Sequence, residues 1–118
     1  MTFEEFEGLI TKSFDEIPSQ FKDILVKIGI KLIPRQKVPK ALSDAHKGSI
    51  VFGVFIGVPY GRFVNIQTEP TRIELYKESF ETIYKDSEKM KQSIIATVVH
   101  EIAHYFGFKE KEIRKLGY

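Results

Sequence analysis

The chain has 118 residues, a net charge of +2 at neutral pH and no cysteine. Its 42% apolar and 29% charged residues are typical of a folded globular protein, and its length predicts a single domain over residues 1–118. Without cysteine there is no disulfide and no thiolate metal site, so a metal would need His, Glu or Asp ligands. The weak and dispersed charge argues against a nucleic-acid partner.

The apolar stretches are too short to cross a membrane. The longest, IVFGVFIGV at residues 50–58, is far below the ~20 residues of a spanning helix. The first residues, MTFEEFEGLI, are acidic and lack the basic start and apolar core of a signal peptide. We therefore expect a cytoplasmic protein with no membrane partner.

Two helices are predicted at the start of the chain. Residues 2–14 show the periodicity of an amphipathic helix, with Thr2 as its N-cap and Glu5 completing a capping box. Residues 18–28 predict a second helix, because a proline suits its first turn and Gly29 can end it.

A small sheet and further helices are predicted after them. The strands are expected at residues 30–34, stopped by Pro34, and at 50–58, 63–67 and 71–76, with a polar connection at 35–49 and a turn at 58–62. The later helices are expected at residues 77–86, 87–106 and 109–116, the last two ended by Gly107 and Gly117. This order predicts an α+β fold: N-terminal helices, a small mixed sheet of three or four strands, a long helix carrying the site and a short C-terminal helix.

The long helix contains the sequence TVVHEIAHYFGFKEKE, in which two histidines lie four residues apart. On a helix, apolar residues cover one broad face, while Ser93, Thr97, His100 and His104 form a narrow polar stripe with Glu101 at its edge. Each buried polar group without a partner would cost about 1–3 kcal/mol. The stripe therefore requires a partner.

Zinc is the partner that the spacing favours. Two imidazoles at positions i and i+4 can reach one ion, and Glu101, directly after the first, can deprotonate a water that the ion activates. This is the H-E-x-x-H arrangement of zinc-dependent hydrolases. The alternative is a coincidence, in which backbone carbonyls satisfy the histidines of an ordinary helix.

Catalytic zinc usually has a third protein ligand. The sequence continues as H-E-x-x-H-x-x-G-x-x-E, which puts Glu110 where metzincins have their third histidine and Gly107 where their chain turns back. Glu112 is a competing ligand, and a water in place of a third protein ligand from this segment is a further alternative. Both acids also suit the first turn of a helix. Gly107 is equally well explained as a helix C-cap.

Other candidate residues lie outside the motif. Tyr60, Tyr105 and Tyr118 are candidate donors to an oxyanion, although packing roles are favoured for all three. His46, in SDAHKG, can approach the metal from a flap, but an exposed loop residue is the favoured interpretation.

The chain resembles the small bacterial minimal metalloprotease-like zincin family, predicted zinc-dependent proteases of about this length. The similar stretches are FEEFEGLITKSFDEIPSQF, VFGVFIGVPYG, RIELYKESFE and TVVHEIAHYFGFKEKEIRKLGY. The resemblance implies a zincin-like α+β fold and one zinc ion on His100 and His104. It also implies Glu101 as the base and an acidic residue at the position of Glu110.

The leading hypothesis is therefore a zinc-dependent metallopeptidase acting on a peptide or protein. The sequence departs from metzincins in two ways: no methionine follows the motif, and only eight residues follow Glu110. The short C-terminus favours the alternative of a non-catalytic metal-binding or protein-interaction module with a vestigial site. A metal-dependent nuclease is a third hypothesis, which the weak charge and the missing third histidine disfavour.

Overall fold

The computed structural model describes residues 1–57 and 71–118 and confirms the α+β class. Its elements are α1 (Phe3–Asp15), α2 (Ser19–Ile28), β1 (Lys31–Arg35), α3 (Lys40–Ala45), β2 (Gly53–Ile56), β3 (Arg72–Tyr76), α4 (Lys77–Ile83), α5 (Ser87–Tyr105) and α6 (Glu110–Lys115). The predicted turn at 58–62 and strand at 63–67 lie outside the described residues. Within the described ranges, no helix combines the length and the apolar character needed to cross a bilayer.

The two N-terminal helices form where local signals predict them. The Glu5 N–H donates to Thr2 Oγ1 at 3.0 Å, and the Thr2 N–H donates to Glu5 Oε1 at 2.8 Å, so the predicted capping box is present. Gly29 ends α2 in the left-handed region, with φ of 78°. The apolar face of α1, which includes Phe6 and Ile10, is buried and packs against α5.

The three described strands form a mixed sheet in the order β1-β3-β2. Strand β1 runs parallel to β3, and β2 runs antiparallel to it. Pro34 lies inside β1 rather than ending it, so that detail of the prediction is wrong. In the described sheet β1 is an outer strand, where the missing N–H of a proline is tolerated.

The middle of the chain departs further from the sequence prediction. The polar connection at residues 35–49 contains the short helix α3, which begins after Pro39. Of the strand predicted over residues 50–58, Gly53–Ile56 forms a strand paired with β3, while residue 58 lies outside the described residues. Gly53 allows β2 to approach its neighbours closely, since a Cβ there would lie 2.8 Å from the Glu74 carbonyl oxygen and 3.1 Å from Thr97 Cγ2.

Helix α5 lies at the centre of the molecule. Its apolar face is buried as predicted, except that Phe106, just past its end, is only partly buried. One face of the sheet, with Ile73 and Leu75 from β3, belongs to the same core, and Phe55 of β2 stacks on Tyr105 of α5. This packing fixes the helix and leaves its polar stripe towards the surface.

Candidate metal centre

Helix α5 carries the polar stripe that the sequence predicts. Asp86 caps its start, since Asp86 Oδ1 accepts the Glu88 N–H at 2.7 Å and the Lys89 N–H at 3.4 Å. Near the other end, the side chain of His100 is 31% exposed and that of His104 is 51% exposed. Both imidazoles therefore lie where an ion from solvent can reach them.

The chain turns back immediately after α5. Gly107 has φ of 79°, a value that favours glycine. The Gly107 N–H donates to the His104 carbonyl at 3.0 Å, and the Phe108 N–H donates to the Ala103 carbonyl at 2.8 Å. Gly107 thus both caps the helix and makes the turn, and α6 starts at Glu110 beside the last turn of α5.

Helix α6 is held in place by one apolar anchor and one cap. Ile113 is fully buried in the core. The Lys109 N–H donates to Glu112 Oε1 at 3.1 Å, so Glu112 is engaged at the start of its own helix. These contacts orient the helix so that Glu110, and not Glu112, meets the histidines.

His100, His104 and Glu110 converge on one point. Glu110 Oε1 lies 2.8 Å from His104 Nε2 and 3.7 Å from His100 Nδ1. One ligand atom from each residue lies within 4.8 Å of the other two, so the three can hold a metal ion. Two imidazole nitrogens and one carboxylate are a known donor set for catalytic zinc.

His100 has a second contact that the sequence does not predict. Its Nε2 lies 2.9 Å from the main-chain oxygen of Tyr118. That oxygen only accepts, so Nε2 donates its hydrogen in this contact, and the Nδ1 atom is the one that faces Glu110. Metal-binding histidines usually donate their other N–H to such an oxygen. No sequence signal points to this contact, because it depends on a main-chain atom.

The pKa values of the two carboxylates near the histidines are shifted in opposite directions. The hydrogen bond with His104 holds the pKa of Glu110 below its usual value, which keeps this side chain ionised as a ligand must be. Burial raises the pKa of Glu101, although the charges of His104 and His100 oppose this rise. Glu101 directly follows His100 in the chain and is not one of the three clustered residues.

The three tyrosines and His46 have separate positions. Tyr60 lies outside the described residues. The ring of Tyr105 stacks on Phe55 with centroids 4.4 Å apart, and Tyr118 packs, partly buried, against the core. His46 is exposed, as expected, but it lines a groove that His100 and Glu101 also line. No sequence signal points to this shared groove, because it depends on how residues 46 and 100 are brought together by the fold.

The chain also matches a known family. Residues 25–118, which are most of the chain, match the zincin-like metallopeptidases. No curated protein matches the chain. The match confirms the resemblance to a zincin family, and the mixed fold of helices and a small sheet agrees with it. The chain therefore belongs to the zincin-like metallopeptidase family.

Proposed function

We propose that this protein is a zinc-dependent peptidase in which His100, His104 and Glu110 hold one Zn²⁺ and Glu101 is the general base. The observation that carries the proposal is the convergence of three ligand atoms within 4.8 Å, next to the partly buried Glu101. Membership of a metallopeptidase family supports the same reaction class. The substrate is a peptide or protein.

The donor set favours zinc over harder or softer metals. Imidazole nitrogens suit zinc and its neighbours in the transition series, whereas Mg²⁺ and Ca²⁺ prefer sites made of oxygen ligands. The chain has no cysteine, so a thiolate site for a softer ion is excluded. When bound, zinc lowers the pKa of a water towards ~7 and polarises a carbonyl.

Glu101 moves the proton in this proposal. Its carboxylate accepts a proton from the attacking water while the new C–O bond forms at the scissile carbonyl. The same carboxyl then gives that proton to the nitrogen of the leaving amine as the C–N bond breaks. The raised pKa of Glu101 supports this role, since it makes the carboxylate a stronger base than an exposed glutamate.

Replacing Glu101 tests this role. Glu101→Gln keeps the size of the side chain and removes the base, so we expect zinc affinity within about twofold of wild type. Hydrolysis of a broad peptide library should fall by about 10²–10⁴-fold. Glu112→Gln is the matched control, because its amide oxygen can still accept the Lys109 N–H, and it should retain full activity.

Three results would be informative. Equal turnover by Glu101→Gln and wild type would remove Glu101 as the base. Loss of zinc from Glu101→Gln would make it a ligand instead. A wild-type protein that binds zinc and cleaves no peptide would favour the non-catalytic metal-binding module.

A further inference from the structure

A groove runs beside the candidate metal centre. It has a volume of about 360 Å³, and one of its walls is the polar stripe of α5, including Thr97, His100 and Glu101. Residues 49–53, which lead into β2, and His46 also line it. Because Glu101 and a candidate ligand line this groove, a substrate lying in it would contact the proposed base.

The main chain around His46 is well defined by local hydrogen bonds. His46 is the C-cap of α3, and its N–H donates to the Ser43 carbonyl at 3.2 Å. Its own carbonyl accepts the Ser49 N–H at 3.0 Å, in a turn where Gly48 has φ of 85°. Main-chain hydrogen bonds on both sides of His46 therefore fix the backbone position of this residue.

His46 does not belong to the metal-binding cluster. Among the described residues, the ligand atoms that converge are those of His100, His104 and Glu110. An imidazole that lines the groove without joining this cluster is placed to contact whatever the groove binds. Imidazole can donate a hydrogen bond through an N–H in either of its neutral forms.

We propose that His46 is a further catalytic residue, whose imidazole N–H donates a hydrogen bond to the scissile carbonyl oxygen as negative charge develops on it. The proposal rests on the peptidase function proposed above. His46 keeps its proton throughout, so no bond to it forms or breaks. Removing one such donor from an enzyme typically lowers kcat by about 10²–10³-fold.

The groove also suggests which peptides to use. Ile50, Val51 and Ala96 give its walls an apolar component beside the polar stripe. We therefore choose peptides with aliphatic side chains flanking the scissile bond, together with a phosphonate analogue of the same peptide. The phosphonate carries the charge of the transition state and can be tested by binding alone, without turnover.

The experiment compares His46→Ala, His46→Gln and the neighbouring Lys47→Ala in the zinc-loaded protein. We expect His46→Ala to lower kcat about 100-fold with little change in KM, and to weaken phosphonate binding by a similar factor. His46→Gln, which keeps an N–H donor, should recover part of both losses. Lys47→Ala should match wild type, and zinc affinity should be equal in all four proteins.

Several outcomes would overturn the assignment. If His46→Ala cleaves the peptide and binds the phosphonate as wild type does, His46 is not catalytic, and the peptidase function stands. If His46→Ala loses zinc, His46 is a ligand. If wild type neither cleaves the peptide nor binds the phosphonate, the proposed function fails, and the role of His46 fails with it.

Discussion

Two glutamates, Glu74 and Glu110, each lie between two side chains that can carry positive charge. Glu74 lies on β3, with its side chain 8% exposed, and Glu74 Oε2 accepts hydrogen bonds from Arg72 at 3.0 Å and from Arg35 at 3.2 Å. Glu110 lies at the start of α6, with its side chain 51% exposed, between His100 and His104. The two clusters differ in the side chains that surround the carboxylate: Glu74 faces two arginines, whereas Glu110 faces two histidines.

The Glu74 cluster is complete without a ligand. Tyr76 also donates its hydroxyl to Glu74 Oε1, at 3.2 Å. Burial raises the pKa of Glu74, but the hydrogen bonds from Arg72, Arg35 and Tyr76 outweigh it and leave the pKa below its usual value. Arginine stays protonated and has no lone pair for a metal. This cluster therefore stabilises the sheet.

The Glu110 cluster has what the Glu74 cluster lacks. Each neutral imidazole keeps one nitrogen lone pair, and all three side chains can be reached from solvent. A carboxylate between fixed cations is a structural ion pair, whereas a carboxylate between imidazoles on adjacent helix turns can serve as a ligand set for a metal. The identity of the partners, more than the position of the acid, separates the two roles.

Among the substitutions that test this comparison, Glu110→Gln is expected to have the largest effect, and the quantity it changes is the affinity for zinc. Removing a ligand charge should weaken zinc binding by more than the ~10–100-fold that the loss of an outer-shell partner costs. Glu112→Gln should bind zinc as wild type does, because Glu112 only caps α6. Competition with a chromophoric chelator measures both affinities. Equal losses in the two variants would mean that the overall charge of the segment attracts the ion.

A smaller effect, on folding alone, is expected from Glu74→Gln. The variant removes the negative charge of Glu74 and replaces one of its two acceptor oxygens with an NH2 group. It should therefore lower the free energy of unfolding by about 1–3 kcal/mol. Arg35 contributes little to this loss, since its side chain is 50% exposed. Denaturant titration of the zinc-free protein measures the change, and zinc affinity should stay the same.

The pH dependence of the free energy of unfolding provides the control for Glu74→Gln. Because the folded pKa of Glu74 lies below its unfolded value, its contribution is complete above the unfolded pKa of about 4.3 and is lost as the pH falls through the folded pKa. The stability difference between wild type and Glu74→Gln should therefore be full at pH 7 and shrink below about pH 4. A difference that persists unchanged in acid would have to come from packing.

Features that depend on neighbouring residues could be predicted from the sequence. The Thr2–Glu5 capping box and the turns at Gly29 and Gly107 are set within a few residues, and the structure has all of them. The proposed ligands lie within eleven consecutive residues, so helix geometry and one turn were enough to predict their convergence.

Features that depend on distant pairing could not be predicted in the same way. Arg35 and Glu74 are 39 residues apart and meet only because β1 pairs with β3. The position of His46 beside α5 depends on the packing of the connection that contains α3. The contact between the main-chain oxygen of Tyr118 and His100 also depends on packing, because no pattern of side chains in the sequence predicts it.

The most direct measurement of the central claim is zinc titration of the metal-free protein beside a variant that combines His100→Ala and His104→Ala. We expect one zinc per wild-type chain, with X-ray absorption showing two imidazole nitrogens at about 2.0–2.1 Å, and no binding by the variant at the same concentrations. Zinc binding of equal strength by the two proteins would show that these histidines do not form the metal site.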